Sequence, residues 1–395
     1  MDGGHVGNNA RFGVDQAARL DYAYASIGKV TTVAKQLIRQ FYHAAAQKSV
    51  FMGCSNGGRE AMIAAQRYPT EFDGIIAGDP GFRLSAAAIG QAWDTRQLMT
   101  IAPKNAAGER IFSQALTTAD LNLVSKALLA ACDAKDGIAD GIINNPAACH
   151  FTPKVLTCRK GQKEGCLSPA KVGALQAIFN GAHSASGQPL YSDWPYDAGI
   201  SSPGWRQWKL GSSLTATPDA RNITLGGDSL PNYFMTPPQA DFNPLTFDFD
   251  RDPARVAEMA ALNDATSTML SSFVLRNGKM IIFQGNSDPV FSASDIQRWY
   301  RELQRKAFNG DAVATQQSVR LFMVPGMTHC GDGPALDDFD PLTALEKWMG
   351  QGTAPDSLAA SGRAFPGKHQ PLCAYPKVAM FTGGDSKQLS SYRCQ

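Results

Sequence analysis

Ser49-Val50-Phe51-Met52-Gly53-Cys54-Ser55-Asn56-Gly57-Gly58-Arg59-Glu60 is the stretch on which the fold turns. Ser49 to Met52 form a short apolar run of β character that Gly53 ends, and a helix is predicted from Gly58 to about Arg67. Between them, Gly53-Cys54-Ser55-Asn56-Gly57 fits G-x-S-x-G, a pattern that acquires meaning from a strand before it and a helix after it. The spacing has a steric cause. A serine in a strained turn projects its hydroxyl into a cleft only when small residues two positions either side let strand and helix approach closely. The competing reading is a glycine-rich turn with an incidental serine.

Working outward, residues from Gln16 to Ala46 carry apolar positions at helical spacing. Phe72 to Gly78, Lys279 to Phe283 and Val319 to Val324 read as further buried strands, each followed by a Gly or Pro turn and then a helix. Strands alternating with helices predict an α/β fold built on a mostly parallel sheet with flanking helices. From about Phe82 to Thr266 the sequence turns irregular, dense in Gly, Pro, Ser, Asp and Trp, with only a few helices such as Asp120 to Ala131. The expected organisation is therefore a catalytic domain of residues 1–82 and 266–395, interrupted by a lid domain of residues 83–265.

The 395 residues suffice for a large core, and 44% hydrophobic with 18% charged residues fit a folded enzyme. No uninterrupted apolar run approaches the ~18 residues of a membrane span, so no membrane partner is expected. The 37 basic and 35 acidic residues are scattered without blocks, which argues against nucleic acid as a partner. Eight cysteines are present, and Cys132 with Cys149, Cys158 with Cys166, and Cys373 with Cys394 would each close a short loop. Disulfides persist in oxidising compartments, so a secreted or periplasmic location is expected, with reduced thiols the alternative. No C-x2-C pair supports zinc. The opening Met1-Asp2-Gly3-Gly4-His5 has no charged segment followed by an apolar one, so any export signal is expected to lie outside this sequence.

A serine hydroxyl needs a base to take its proton and a carboxylate to orient that base. His43, His150, His183 and His369 lie in helix or loop settings, and His5 sits at the very start. His329 instead follows a predicted strand through Pro325-Gly326-Met327-Thr328, and Asp288 follows another through Gly285-Asn286-Ser287. Ser55, Asp288 and His329 then occur in the chain order of the α/β hydrolases. A lone Asp before Pro is also a common turn former, so the case for Asp288 rests on that order. Cys54 precedes the serine and Cys330 follows the histidine, so a Ser55–His329 hydrogen bond would bring the two cysteines within reach of a disulfide.

Gly53 to Glu60, Ser287-Asp288-Pro289 and Pro325 to Cys330 resemble the tannase and feruloyl esterase family, and the match runs from Asp2 to Cys394. The resemblance implies an α/β-hydrolase fold, the triad Ser55, Asp288 and His329, and four disulfides paired as above, including Cys54 with Cys330. It implies a structural Ca²⁺ site in the lid, held by the carboxylates of Asp133, Asp136 and Asp140 and the carbonyls of Ile138 and Ile142. Acidic oxygens among glycines suit a hard cation, although an Asp-Gly turn cluster accounts for the residues equally well. Among the family's activities, hydrolysis of a terephthalate monoester is the one most resembled. It implies Trp208 against the substrate ring, Arg221 on its carboxylate and Phe291 as an aromatic clamp. Leu225 and Gly226 depart from it, standing where a phenylalanine and a serine are expected. Without the resemblance, Trp208 reads as lid core and Arg221 as a solvated charge. The N–H of Asn56 is the implied oxyanion donor, and the second donor is a glycine that the family carries ahead of the matched region.

These residues point to hydrolysis of esters of aromatic acids through an acyl-serine, with a small aromatic ester as partner. Feruloyl esterase or tannase action on plant phenolic esters is the second reading. A non-catalytic binding protein that keeps the hydrolase fold is the third.

Overall fold

Four apolar runs form the parallel sheet that the alternating pattern predicts. In the computed structural model, which describes residues 9–395, Val50–Cys54 (β1), Gly74–Gly78 (β2), Lys279–Gly285 (β3) and Val319–Val324 (β4) lie side by side in that order. All three pairings are parallel, with Cys54 beside Gly78, Gly78 beside Phe283 and Gly285 beside Val324. The carboxyl ends of the strands therefore share one edge, where an open α/β sheet places its ligands. His5 lies outside the described residues.

Strand alternation assigns the two faces. Ile75, Ala77, Met280, Ile282, Val319 and Leu321 pack on one side with helices Asn56–Arg67 and Ala293–Ala307. Ile76, Ile281, Phe322 and Val324 pack on the other with Leu345 and Trp348 of helix Pro341–Gln351. Because both faces of β2 to β4 are covered, these strands are near-continuous apolar runs, which made them legible. Helix Asn56–Arg67 begins two residues earlier than expected, since Ser55 makes the turn itself. The helical stretch from Gln16 passes through a π-helical turn at Asp21–Ala25 and stops at Tyr42, short of Ala46, where His43 adopts a left-handed conformation (φ 54°).

The segment between β2 and β3 is more helical than its sequence suggests. It contains Leu84–Ile101, Thr118–Cys132, Pro169–Phe179, Pro203–Lys209 and Pro253–Asn263. Leu98, Phe112, Leu121, Leu175, Tyr233 and Phe247 belong to the apolar core there. Leu84–Ile101 is buried at eleven positions spread around its circumference, so no polar stripe marks its period. Contrary to the expectation of no membrane-length stretch, Phe112–Asp136 is long and apolar enough by composition to cross a membrane. Its Leu121, Val124 and Leu128 are fully buried in the protein core, and Asp120 pairs with Lys171, which accounts for its composition as that of a core helix.

All four anticipated disulfides form: Cys54–Cys330, Cys132–Cys149, Cys158–Cys166 and Cys373–Cys394. The last joins two small antiparallel pairs, Ser357–Ala360 (β5) with Gln370–Cys373 (β6) and Ala379–Phe381 (β7) with Tyr392–Cys394 (β8).

Candidate active site

Ser55 sits between β1 and helix Asn56–Arg67 with φ 65° and ψ −124°, a conformation that disfavours a side chain by about 1–3 kcal/mol. Its N–H donates to Gly78 O at 3.0 Å, which ties the turn to β2. Tight approach explains part of the glycine pattern. A Cβ on Gly53 would meet the Gly57 carbonyl at 2.5 Å, and one on Gly58 would overlap Gly78 O. A Cβ on Gly57 would meet nothing within 4 Å, so the expected demand for a small residue two places after the serine falls on Gly58 instead.

The loops after β3 and β4 bring the other two groups to the serine. His329 Nε2 lies 2.8 Å from Ser55 Oγ, and its Nδ1 lies 3.0 Å from Asp288 Oδ2. Asp288 is held on both oxygens: Oδ1 accepts from Val290 N (2.7 Å) and Phe291 N (3.2 Å), and Oδ2 accepts from Gln284 Nε2 (3.0 Å). The Cys54–Cys330 disulfide, with Cα atoms 6.1 Å apart, joins the serine turn to the histidine loop. Burial disfavours the imidazolium, but the Asp288 carboxylate, its hydrogen bond and Asp79 outweigh it and raise the His329 pKa, with Arg221 opposing. Only the neutral imidazole accepts the serine proton, so activity would rise as pH climbs through that raised value.

A cleft of about 300 Å³ opens beside these groups, at the lower end of the range for small-molecule sites. Ser55, Asn56, Trp208, Leu225, Gly226 and Phe291 are among its walls. The Trp208 and Phe291 rings stand edge-on to His329, with centroids 5.5 and 5.3 Å away. Asn56 is the first residue of its helix and lines this space, and its N–H has no acceptor among the described residues. Arg221 does not line the cleft. It is exposed, with its guanidinium carbon 5.4 Å from the Trp208 ring centre. The arrangement can pass a proton from Ser55 to His329 beside a bound ring.

A model of the family described as tannase and feruloyl esterase matches residues 1–395. The chain belongs to the tannase and feruloyl esterase family. It is a carboxylic ester hydrolase by that membership. It is 38% identical to mono(2-hydroxyethyl) terephthalate hydrolase of Piscinibacter sakaiensis, covering 100% of this chain and 72% of that protein. It is 25% identical to feruloyl esterase C of Talaromyces stipitatus, covering 100% and 74%. Among solved structures, feruloyl esterase B from Aspergillus oryzae superposes with a TM-score of 0.85 at 23% identity, covering 100% of this chain and 78% of that one. The α/β-hydrolase fold follows.

Two buried carboxyls beside the site went unnoticed in the sequence. Asp79, at the carboxyl end of β2, accepts from Gly285 N on Oδ1 (2.7 Å) and from Cys330 N on Oδ2 (2.8 Å), so it grips both catalytic loops. Burial and the neighbouring Asp288 push its pKa up to about 8, with His329 and the two N–H groups opposing. Its place directly after a parallel strand was the available signal. Asp197 Oδ2 accepts from Ser287 Oγ and Gly326 N, both at 2.6 Å, and fastens the segment between β2 and β3 to the same two loops. It lies in irregular sequence that offers no comparable signal.

The acidic loop brings Asp133, Asp136 and Asp140 into one turn. Asp133 accepts from the N–H groups of Asp140 and Gly141, Asp136 from those of Ile138 and Asn144, and Asp140 from that of Ile142. Lys368 Nζ meets Asp140 at 2.6 Å. Burial, with Asp140 adding repulsion, raises the Asp136 pKa. Three carboxylates with Lys368 as their one ammonium partner among the described residues leave negative charge that suits an oxygen-seeking cation, but their oxygens do not all converge within 4.8 Å of one another.

Proposed function

We propose that the protein is a serine esterase that cleaves esters of aromatic carboxylic acids, terephthalate monoesters among them, through an acyl-serine intermediate. The observation that carries this reading is the Ser55–His329–Asp288 chain of hydrogen bonds opening on a cleft walled by Trp208 and Phe291. The terephthalate part is supported by the 38% identity to a hydrolase named for that substrate.

In this mechanism Ser55 Oγ attacks the ester carbonyl as its proton passes to His329 Nε2, and Asp288 stabilises the resulting imidazolium. The Asn56 N–H donates to the carbonyl oxygen as it gains charge. His329 then returns the proton to the departing alkoxide, leaving the acid on Ser55. Water, deprotonated by the same imidazole, attacks the acyl-serine, and the free acid leaves as Ser55 regains its proton.

Trp208 and Phe291 would hold the ring. Arg221, stacked on Trp208, would meet a free carboxylate at the far end with two parallel N–H donors. Leu225, a 40% exposed side chain on the cleft wall, would leave room for broader acids. Calcium, held by Asp133, Asp136 and Asp140 with the carbonyls of Ile138 and Ile142, would brace the loop without entering the chemistry. Four disulfides support export to an oxidising compartment.

The test compares Arg221→Ala with wild type on mono(2-hydroxyethyl) terephthalate and on methyl benzoate. Hydrogen bonds to charged groups contribute about 1.5–3 kcal/mol, and exposure places Arg221 at the low end, so a selective loss of about tenfold on the terephthalate is expected. Equal losses on both esters would leave aromatic-ester hydrolysis standing without carboxylate recognition. Loss of fluorophosphonate labelling of wild-type Ser55 would remove the esterase reading itself.

A further inference from the structure

Helix Leu84–Ile101 turns Leu84, Ala88 and Gln91 toward the cleft, one above another at helical spacing. Gln91 is only 4% exposed, yet its side chain makes no hydrogen bond among the described residues. Other polar side chains on the cleft wall are engaged within the protein. Ser229 donates to Gly226 O, Asp228 accepts from Ala10 N and Asn232, Asn56 bonds Arg59 and Glu60, and Tyr233 donates to Asn263. Unlike the amides of Asn222 and Asn286, which are fully buried without a partner, the Gln91 amide keeps some exposure, and because Gln91 lines the cleft a ligand can meet it there.

Gly226 makes room for it. A Cβ built on Gly226 would overlap Gln91 Oε1, so any other residue at 226 would push the amide aside. The neighbouring Leu225 also lines the cleft, as do Leu84, Ala88 and Phe291, so Gln91 shares its wall with apolar side chains.

We propose that Gln91 is a hydroxyl-recognition point of the substrate cleft, admitted by Gly226. A carboxamide presents one donor end and one acceptor end, and a hydroxyl can both donate and accept. A carboxylate offers acceptors alone and would face the amide oxygen unfavourably, so this point differs in chemistry from Arg221. The hydroxyl has two possible sources in an ester substrate, a phenolic group on the aromatic acid or a free hydroxyl on the alcohol. The inference rests on the proposed aromatic-ester activity and specifies its selectivity.

The experiment measures kcat/KM for two pairs of esters, methyl 4-hydroxybenzoate against methyl benzoate and 2-hydroxyethyl benzoate against propyl benzoate. Wild type, Gln91→Leu and Gly226→Ala are compared, with Ser55 labelling and circular dichroism reporting that each is folded. One pair is expected to show a hydroxyl preference in wild type that falls about tenfold in Gln91→Leu and in the same direction in Gly226→Ala. Which pair responds identifies the source of the hydroxyl. Ratios unchanged in both pairs would overturn the role of Gln91 while leaving the esterase reading intact. Absence of wild-type turnover on all four esters would overturn both. Because the displaced atom is the end of a flexible side chain, Gly226→Ala carries the test alone if Gln91→Leu fails to fold.

Discussion

Asp79 shows how much a single residue contributes to holding the site. Its two oxygens each take a backbone N–H, one from the loop after β3 and one from the residue after His329. Asparagine keeps one acceptor and turns an NH₂ toward the other N–H, so one buried donor loses its partner at a cost of about 1–3 kcal/mol. Asp79→Asn should therefore lower urea stability by that amount and reduce kcat more than it changes KM. The pH dependence has a definite sign. Asp79 titrates near 3.8 when unfolded and at about 8 in the fold, so its protonated form is the one the fold favours. The stability it contributes is complete below about pH 4 and is lost as pH rises through about 8. Asparagine does not titrate, so the deficit of the variant should be largest near pH 4–5 and narrow toward pH 8. A deficit that is constant over this range, measured by urea titration at several pH values, would contradict the buried-carboxyl account.

At the scale of elements, legibility followed burial pattern. β2, β3 and β4 are covered on both faces and read directly as apolar runs, and the serine turn was marked by Gly53 and Gly57, although the close approach to backbone is made at Gly53 and Gly58. Helix Leu84–Ile101, equally apolar, escaped because burial on every side erases helical periodicity, and with it went the approach of Gln91 to the cleft. Ser55 was found by its turn motif, His329 by its place after a strand and Asp288 by chain order, whereas Asp79 and Asp197 act through backbone N–H groups that no motif spells out. The acidic loop is a separable element with its own test. If calcium balances Asp133, Asp136 and Asp140, adding a chelator should lower the melting temperature, and calcium, not magnesium, should restore it, because magnesium sheds its water reluctantly. A melting curve indifferent to both would assign the loop to its own amide hydrogen bonds and Lys368.

Over the whole molecule, one covalent bond spans most of what lies between the serine and its base. Cys54 and Cys330 are 276 residues apart in sequence, and the segment between β2 and β3, with β3 and β4 themselves, lies inside the closed loop. Cys158 and Cys166 close a loop of 8 on the surface. In the chain-entropy model the long loop stabilises the fold by roughly 5–6 kcal/mol and the short one by roughly 2–3 kcal/mol, as upper bounds. The Asp197 bonds to Ser287 and Gly326, and the Asp79 bonds to Gly285 and Cys330, fasten the same loops without a covalent link. Replacing both members of the long pair, Cys54→Ser with Cys330→Ser, should therefore cost up to ~3 kcal/mol more stability than Cys158→Ser with Cys166→Ser. It should also lower kcat, because the histidine loop is then held to the serine turn by hydrogen bonds alone. Urea titration of the two double variants beside wild type measures the first effect, and ester turnover at saturating substrate the second. Equal stability losses with undiminished kcat would show that the non-covalent fastenings already fix the loops and that the long disulfide is redundant in the folded enzyme.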